Sequence, residues 1–191
     1  MKLRPLLLLS LAACAFLVVL NDRSSAQGAA ATASDDEAAR IRIGFQVAPV
    51  PLSLADKDPN LVGLGSYIVN TRISCNDCHT NPPWVPGHNP HLGQKPAEIN
   101  AAAYLAGGNK FAGGLIVSRN ITPDSHGLPA GLTFAQFVRT LRTGIDPDDP
   151  PNLLQIMPWP YFRTMSDHDL AAVYEYLRAI PSLPSAAGTP P

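Results

Sequence analysis

The chain has 191 residues, with 14 Lys plus Arg, 15 Asp plus Glu and a formal net charge of −1. Apolar residues make up 46% and charged residues 15%, which excludes a disordered chain. The near-neutral charge gives no electrostatic footprint for nucleic acid. The length predicts one domain, and 20 prolines with 14 glycines predict that much of it is loop.

The N-terminus has the pattern of an export signal over residues 1–26. Lys2 and Arg4 precede an apolar run over residues 5–20, and small residues before the cleavage point end at Ala26. Cleavage would leave a net charge of about −3 and place the protein in the oxidising periplasm. Two alternatives stay open. One is an uncleaved membrane anchor, although the run is shorter than the ~20 residues that span a bilayer, and the other is a lipoprotein modified at Cys14.

Residues 27–58 are predicted to form an N-terminal linker and an extended arm. The extended part is expected where apolar and polar residues alternate, over residues 41–47. The first helix is expected over residues 60–73, because Asp58 is a good N-cap and Pro59 suits the first helical position.

Two further helices are predicted in the second half of the chain. One covers residues 133–143, since Thr133 is a good cap, apolar residues recur at helical spacing and Gly144 stops it. The last begins at Ser166, which forms a capping pattern with an acidic residue three positions later, and ends before Pro181.

The remaining segments read as loops rich in proline and glycine. The connection over residues 80–132 is long, with one short helix expected over residues 97–105. A loop of this length inside a compact domain is usually functional or wrapped on a ligand. Residues 182–191 are predicted to be a disordered tail because of their Pro, Ser, Ala and Gly content.

The motif that carries chemistry is Cys75-Asn76-Asp77-Cys78-His79. This Cys-x-x-Cys-His spacing is the c-type haem attachment pattern: the two thiols form thioethers with the haem vinyl groups, and the adjacent histidine binds the iron. A zinc site would need further matched ligands, a thioredoxin-type pair would need a βαβ pattern, and a plain disulfide is sterically awkward. The motif occurs once, so the sequence predicts one covalent haem c.

The second axial ligand of the iron must come from elsewhere in the chain. The candidates are Met157, Met165, His88, His91, His126 and His168. Met157 is favoured because Pro158 restricts the backbone before it and suits a ligand presented from a rigid loop. Met165 stands just before the last helix, where an apolar residue is expected for packing alone. The predicted metal ligands are therefore His79 and Met157.

Several stretches match a known pattern beyond the haem motif. They are Gly65–Ile68, Cys75–Thr80, Phe111–Gly114, Ser118–Asp124, Met157–Trp159 and Asp169–Leu177. With these stretches the chain resembles class I cytochromes c, and more narrowly the haem domains of the cytochrome subunits of bacterial membrane-bound alcohol and gluconate dehydrogenases. Those subunits carry three haem motifs where this chain has one.

The resemblance has consequences for structure. It implies that the first and last helices cross, with Gly65 and Tyr67 packing near Tyr174 and Leu177. It also implies that the loop from residue 120 to 124 lies near the haem propionates, which makes Arg119 and Asn120 candidate cofactor-binding residues.

Together these inferences predict an all-α class I cytochrome c fold over residues 59–181, with three to five helices and long loops around one haem. The predicted function is a monohaem c-type cytochrome that carries single electrons between exported or membrane-bound redox proteins, such as a dehydrogenase, an oxidase or a quinol-oxidising complex, and is not itself an enzyme. The alternative is a haem enzyme or small-ligand sensor with an open or labile sixth position. Membrane association would come through the partner or the N-terminus.

Overall fold

The structure is a computed structural model, and it describes residues 34–186. The described residues from 40 to 186 belong to one compact unit, and of the residues before it only 34–39 are described, all of them helical. The predicted export signal, its cleavage point and Cys14 lie outside the described residues. None of the helices within the described range is long and apolar enough to cross a membrane.

Six α-helices and one short ribbon make up the regular structure of the described residues. The helices are α1 (residues 34–47), α2 (Pro59–Thr71), α3 (Cys75–His79), α4 (Phe134–Thr143), α5 (Trp159–Phe162) and α6 (Asp167–Ala179). Strands β1 (Lys110–Phe111) and β2 (Ile116–Val117) pair antiparallel, and single 3-10 turns occur at Pro90–Leu92, Ala101–Ala103 and Ala112–Gly114. This mostly helical content confirms the all-α prediction, with one helix more than the three to five expected.

The caps predicted for the three main helices are present. Asp58 accepts a hydrogen bond from the Asn60 amide at 2.8 Å at the start of α2, and Ser166 accepts from the Asp169 amide at 3.0 Å at the start of α6. Thr133 forms a full capping box at the start of α4. Each cap satisfies an amide that the first helical turn leaves without a partner.

Helices α2 and α6 cross at the centre of the core. A Cβ atom on Gly65 would lie 1.9 Å from the carbonyl oxygen of Ala172 and 2.7 Å from Cβ of Tyr176, so only glycine permits this approach. The predicted crossing is therefore present, with Gly65 packed against Ala172 and Tyr176, within two residues of the expected Tyr174 and Leu177. Tyr67 is partly buried against the core and lines a groove with Arg40.

A buried hydrogen-bond network ties the crossing to neighbouring segments. Tyr104 donates to Asn70 Oδ1 at 2.6 Å, and its hydroxyl lies 3.0 Å from that of Tyr176. Asn70 donates to the Tyr176 hydroxyl at 3.2 Å, and Ser66 donates to the Gly44 carbonyl at 2.7 Å. Because each group has a partner, these polar atoms can be buried without a large desolvation penalty.

The extended arm predicted over residues 41–47 is wrong, since these residues belong to α1. Their alternation suits a strand, but the contacts follow helical spacing. Ile41 and Phe45, four residues apart, both come within 2.7 Å of the position where Gly63 of α2 would carry a Cβ. Between them, Gly44 allows the backbone of α1 to lie directly on that of α2. Tertiary packing thus decides the local structure.

Two loop predictions also need correction. The helix expected over residues 97–105 is reduced to the 3-10 turn at Ala101–Ala103. The tail predicted to be disordered from residue 182 is ordered as far as Ala186, because its backbone is hydrogen-bonded to the domain; the amide of Ala186 donates to the carbonyl of Ala106 at 3.2 Å. Residues 187–191 lie outside the described residues.

Candidate haem site

The five residues of α3 place both thiols and the imidazole on little more than one helical turn. Cys75, Cys78 and His79 all line one cleft, and neither cysteine is in a disulfide. The cleft has a volume of about 500 Å³, within the range of ~300–1,000 Å³ that is usual for cofactor sites. Its walls are mainly apolar and come from α3, the β1–β2 ribbon, α4, the loop before α5 and α6. An apolar cleft with two thiols and one imidazole fits a covalently attached haem.

The surroundings of both cysteines favour the protonated thiol over the thiolate. Burial raises the pKa of Cys75 to about 12, with a further contribution from Cys78. Burial, and then the carboxylate of Asp77, also raises the pKa of Cys78. Redox-active Cys-x-x-Cys pairs depend on a lowered thiol pKa, so this environment argues against a thioredoxin-type role.

His79 is held as a neutral imidazole in one orientation. Its Nδ1 lies 2.7 Å from the carbonyl oxygen of Arg119, and since a carbonyl only accepts, Nδ1 must carry the proton. Burial lowers the pKa of His79, and the bond to Arg119 opposes that shift only in part. Nε2 is therefore the nitrogen left to bind a metal, as in other proteins whose ligating histidine donates its second N–H to a carbonyl.

A neighbouring loop holds the end of α3 through Asn109, a residue that the sequence motifs do not include. Asn109 donates to the carbonyls of Cys78 and Thr80 at 2.8 and 2.7 Å. The amide of Gly107 donates to the carbonyl of His79 at 2.7 Å. These bonds satisfy the carbonyls that α3 leaves open at its C-terminus. The only sequence signal was the Gly107-Gly108-Asn109 turn, which gave no indication of its target.

Met157 and Met165 both line the cleft and are half-buried. The backbone before Met157 is strained, because Ile156 has a φ of 70°, a value that β-branched residues rarely adopt. Strain of this kind persists where the surrounding structure requires it and is common at functional sites. Met165 has an ordinary structural setting: it precedes the Ser166 cap, and Arg142 donates to its carbonyl at 2.6 Å.

Arg119 and Asn120 differ in their relation to the cleft. Arg119 lines it and forms an ion pair with Asp148 beside it. Asn120 is turned toward the C-terminal segment, where its side chain donates to the carbonyl of Leu183 at 2.8 Å. Of the described residues, the cleft lining includes Arg119 and not Asn120.

The four remaining ligand candidates lie away from the cleft lining. His88 is hydrogen-bonded to the Pro96 carbonyl at 2.9 Å, and His91 packs edge-on against Trp84. His126 is in an exposed turn closed by Asp124, and His168 is an exposed residue of α6. Their positions leave the two methionines as the ligand candidates within the cleft.

These features define a site of the c-type cytochrome class, and comparison with known proteins agrees. No protein-family model matches the chain. The chain is 32% identical over 147 residues, 72% of its length, to the "Alcohol dehydrogenase (quinone), cytochrome c subunit" of Gluconacetobacter polyoxogenes. It is 33% identical over 125 residues, 63% of its length, to the subunit of the same name from Gluconobacter oxydans. Over 80 residues, 38% of its length, it is 35% identical to the "Gluconate 2-dehydrogenase cytochrome c subunit" of Pantoea cypripedii.

The relatives are much longer than the matched region. The chain covers 27%, 22% and 18% of these three proteins, so it spans about a quarter or less of the length of the curated relatives it matches. The similarity confirms the resemblance indicated by the motifs and supports an electron-transfer cytochrome c.

Proposed function

We propose that the chain is a monohaem c-type cytochrome that carries single electrons, with His79 and Met157 as the axial ligands of the iron. The observation that carries the proposal is the shared cleft: two cysteines and a histidine on α3 line the same apolar space as Met157. The haem, when bound, supplies the one-electron chemistry of iron. The chain's own residues ligate it, bury it and shield it from water.

The residues of the proposed site have different roles: covalent attachment, iron ligation and pairing with a haem propionate. Cys75 and Cys78 would hold the ring covalently, which would keep the cofactor in place through repeated oxidation and reduction. A thioether ligand from Met157 favours the reduced iron and raises the potential relative to a second histidine. Arg119 lines the cleft as a cation suited to a haem propionate, and its ion pair with Asp148 holds the guanidinium there.

The proposed partners are redox proteins of the exported or membrane-bound compartment. All three relatives described above are named as cytochrome subunits of dehydrogenases. By analogy, we propose a dehydrogenase as the electron donor and a periplasmic location. The chain matches only part of each relative, so it acts in this proposal either as a free carrier or as a subunit that supplies one haem.

Haem content tests the proposal directly. The protein, produced with c-type maturation proteins, should keep its colour through acid–acetone extraction, because thioethers survive denaturation. A haemochrome assay should give one haem per chain. The double variant Cys75→Ala/Cys78→Ala should release its haem on extraction, and Asn60→Ala, an exposed change on α2, should match the wild type. Extraction of all colour from the wild type, or zinc in its place, would refute the proposal.

A further inference from the structure

Residues 182–186, here called the C-terminal strap, lie against the loop that follows β2. Asn120 donates to the carbonyl of Leu183 at 2.8 Å, and the amide of Leu183 donates to Oγ1 of Thr122 at 3.1 Å. Asn120 thus bonds to the carbonyl of Leu183, and Thr122 bonds to its amide. This is a two-point attachment, and it lies where composition predicted a disordered tail.

The strap fixes the loop at the residue next to Arg119. Oδ1 of Asn120 accepts from the amide and the hydroxyl of Thr122 at 2.9 and 2.8 Å, so both ends of the Asn120 amide are engaged. On the other side of Arg119, the amide and carbonyl of Ser118 are bonded to residues 109 and 108 at 2.8 and 2.9 Å. The Arg119 carbonyl, which accepts from His79, therefore lies between two anchored peptides.

The same strap reaches the second loop that supports α3. The amide of Ala186 donates to the carbonyl of Ala106 at 3.2 Å. The adjoining Gly107 has a φ of 77°, and a Cβ there would lie 2.5 Å from the Ser118 carbonyl oxygen and 2.6 Å from the Arg119 carbonyl carbon. The two loops are thus in direct backbone contact, and the strap spans both.

We propose that the C-terminal strap is a positioning element for His79 and that Asn120 is the positioning residue that links them. The inference rests on the proposed function, because His79 is the proposed iron ligand. A histidine that donates its second N–H to a carbonyl is a stronger base toward the metal and stabilises the more highly charged ferric state. Loss of the strap loosens the Arg119 carbonyl, weakens that bond and raises the reduction potential.

Truncation of the holoprotein tests the strap with a built-in control. A chain that ends at Pro181 loses the strap, while a chain that ends at Ala186 keeps every strap contact described above. Asn120→Asp is the point variant: it keeps the Oδ1 acceptor for Thr122 but cannot donate to Leu183. Each protein is measured for covalent haem content, reduction potential, the NMR signals of the ligating imidazole, and hydrogen exchange at the Leu183 amide or, in the shorter chain, at Ile121.

The chain ending at Pro181 and Asn120→Asp should keep one covalent haem, show a raised potential and shifted imidazole signals, and exchange faster at the monitored amide. The chain ending at Ala186 should match the wild type in all four. An unchanged potential and unchanged imidazole signals in Asn120→Asp, despite faster exchange at Leu183, would overturn the proposal even if the truncated chain does not fold. Absence of covalent haem from the wild type would instead overturn the proposed function, so the two failures are distinguishable.

Discussion

The two methionines that line the cleft differ in their backbone setting. Met157 follows the strained Ile156 and precedes Pro158, so its position depends on a loop conformation that must be held in place. Met165 follows α5 and leads into the Ser166 cap, a setting that explains an apolar residue without any ligand role. Replacing each methionine in turn therefore tests which of the two binds the iron.

Met157→Ala should lower the reduction potential, because water or histidine stabilises ferric iron better than a thioether does. The variant should also lose the weak red absorption band of sulfur bound to ferric iron and should bind carbon monoxide when reduced. Redox titration and visible spectroscopy measure all three properties.

Met165→Ala is the matched control for this prediction and should leave the three properties nearly unchanged. The opposite pattern would make Met165 the ligand. Carbon monoxide binding by the wild type, with neither variant having an effect, would favour the alternative function of a haem enzyme or sensor with an open sixth position.

The residues of the site differ in how far the sequence could predict them. Cys75, Cys78 and His79 share one turn because their spacing is local, and the structure places them so. The partner of His79 is a backbone carbonyl, which every residue supplies, so no side-chain pattern could identify Arg119 as that partner. Asn109 was missed for the same reason, since its targets are also carbonyls.

At the scale of elements, the crossing of α2 and α6 depends on Gly65, which has no side chain. The Gly65 position meets a backbone carbonyl, which cannot move without shifting α6. The Gly63 position on the same helix meets the side chains of Ile41 and Phe45 at 2.7 Å, and its nearest backbone atom, the Ile41 carbonyl oxygen, is 3.0 Å away. A Cβ at Gly63 is therefore less crowded by backbone than one at Gly65. The two glycines thus form a matched pair within α2.

Gly65→Ala should destabilise the protein by ~1–3 kcal/mol through overpacking, even though alanine gains ~1 kcal/mol of helix propensity over glycine. Gly63→Ala should destabilise the protein less than Gly65→Ala, because its nearest backbone atom is 3.0 Å away where that of Gly65 is 1.9 Å away. Denaturant unfolding of the two holoproteins measures the difference. Equal stability of the two variants would contradict the assigned contact.

The ends of the main helices were easier to predict from the sequence than whether a given segment is helical. The caps at Asp58, Thr133 and Ser166 depend on bonds to amides two or three residues away, so sequence alone carries the information. The sequence predicted an extended segment where α1 lies, because a short apolar run fits both the strand period and the helix period. Only the packing of α1 against α2 distinguishes the two. The C-terminal strap was missed because its bonds use mainly backbone atoms.

At the scale of the whole molecule, the N-terminal sequence allows a prediction that does not depend on the haem site. The purified protein should begin near Gln27, since a positive start, an apolar run and small residues form an export signal. Intact mass spectrometry of protein from the native host measures this. A lipid adduct on Cys14, or a retained Met1, would establish an anchored protein in place of a free periplasmic one.

Distance along the chain also sets the order in which this molecule can assemble. Asn70 and Tyr176, bonded at the α2–α6 crossing, are 106 positions apart, so the core cannot close until nearly all of the chain has been made. The turn that bears both thiols needs only its own five residues. As the chain is synthesised, this turn emerges long before α6, at a time when the C-terminal helix does not yet cover it. A haem can therefore reach the thiols before the chain has folded, and the core forms afterwards, when α6 packs against α2.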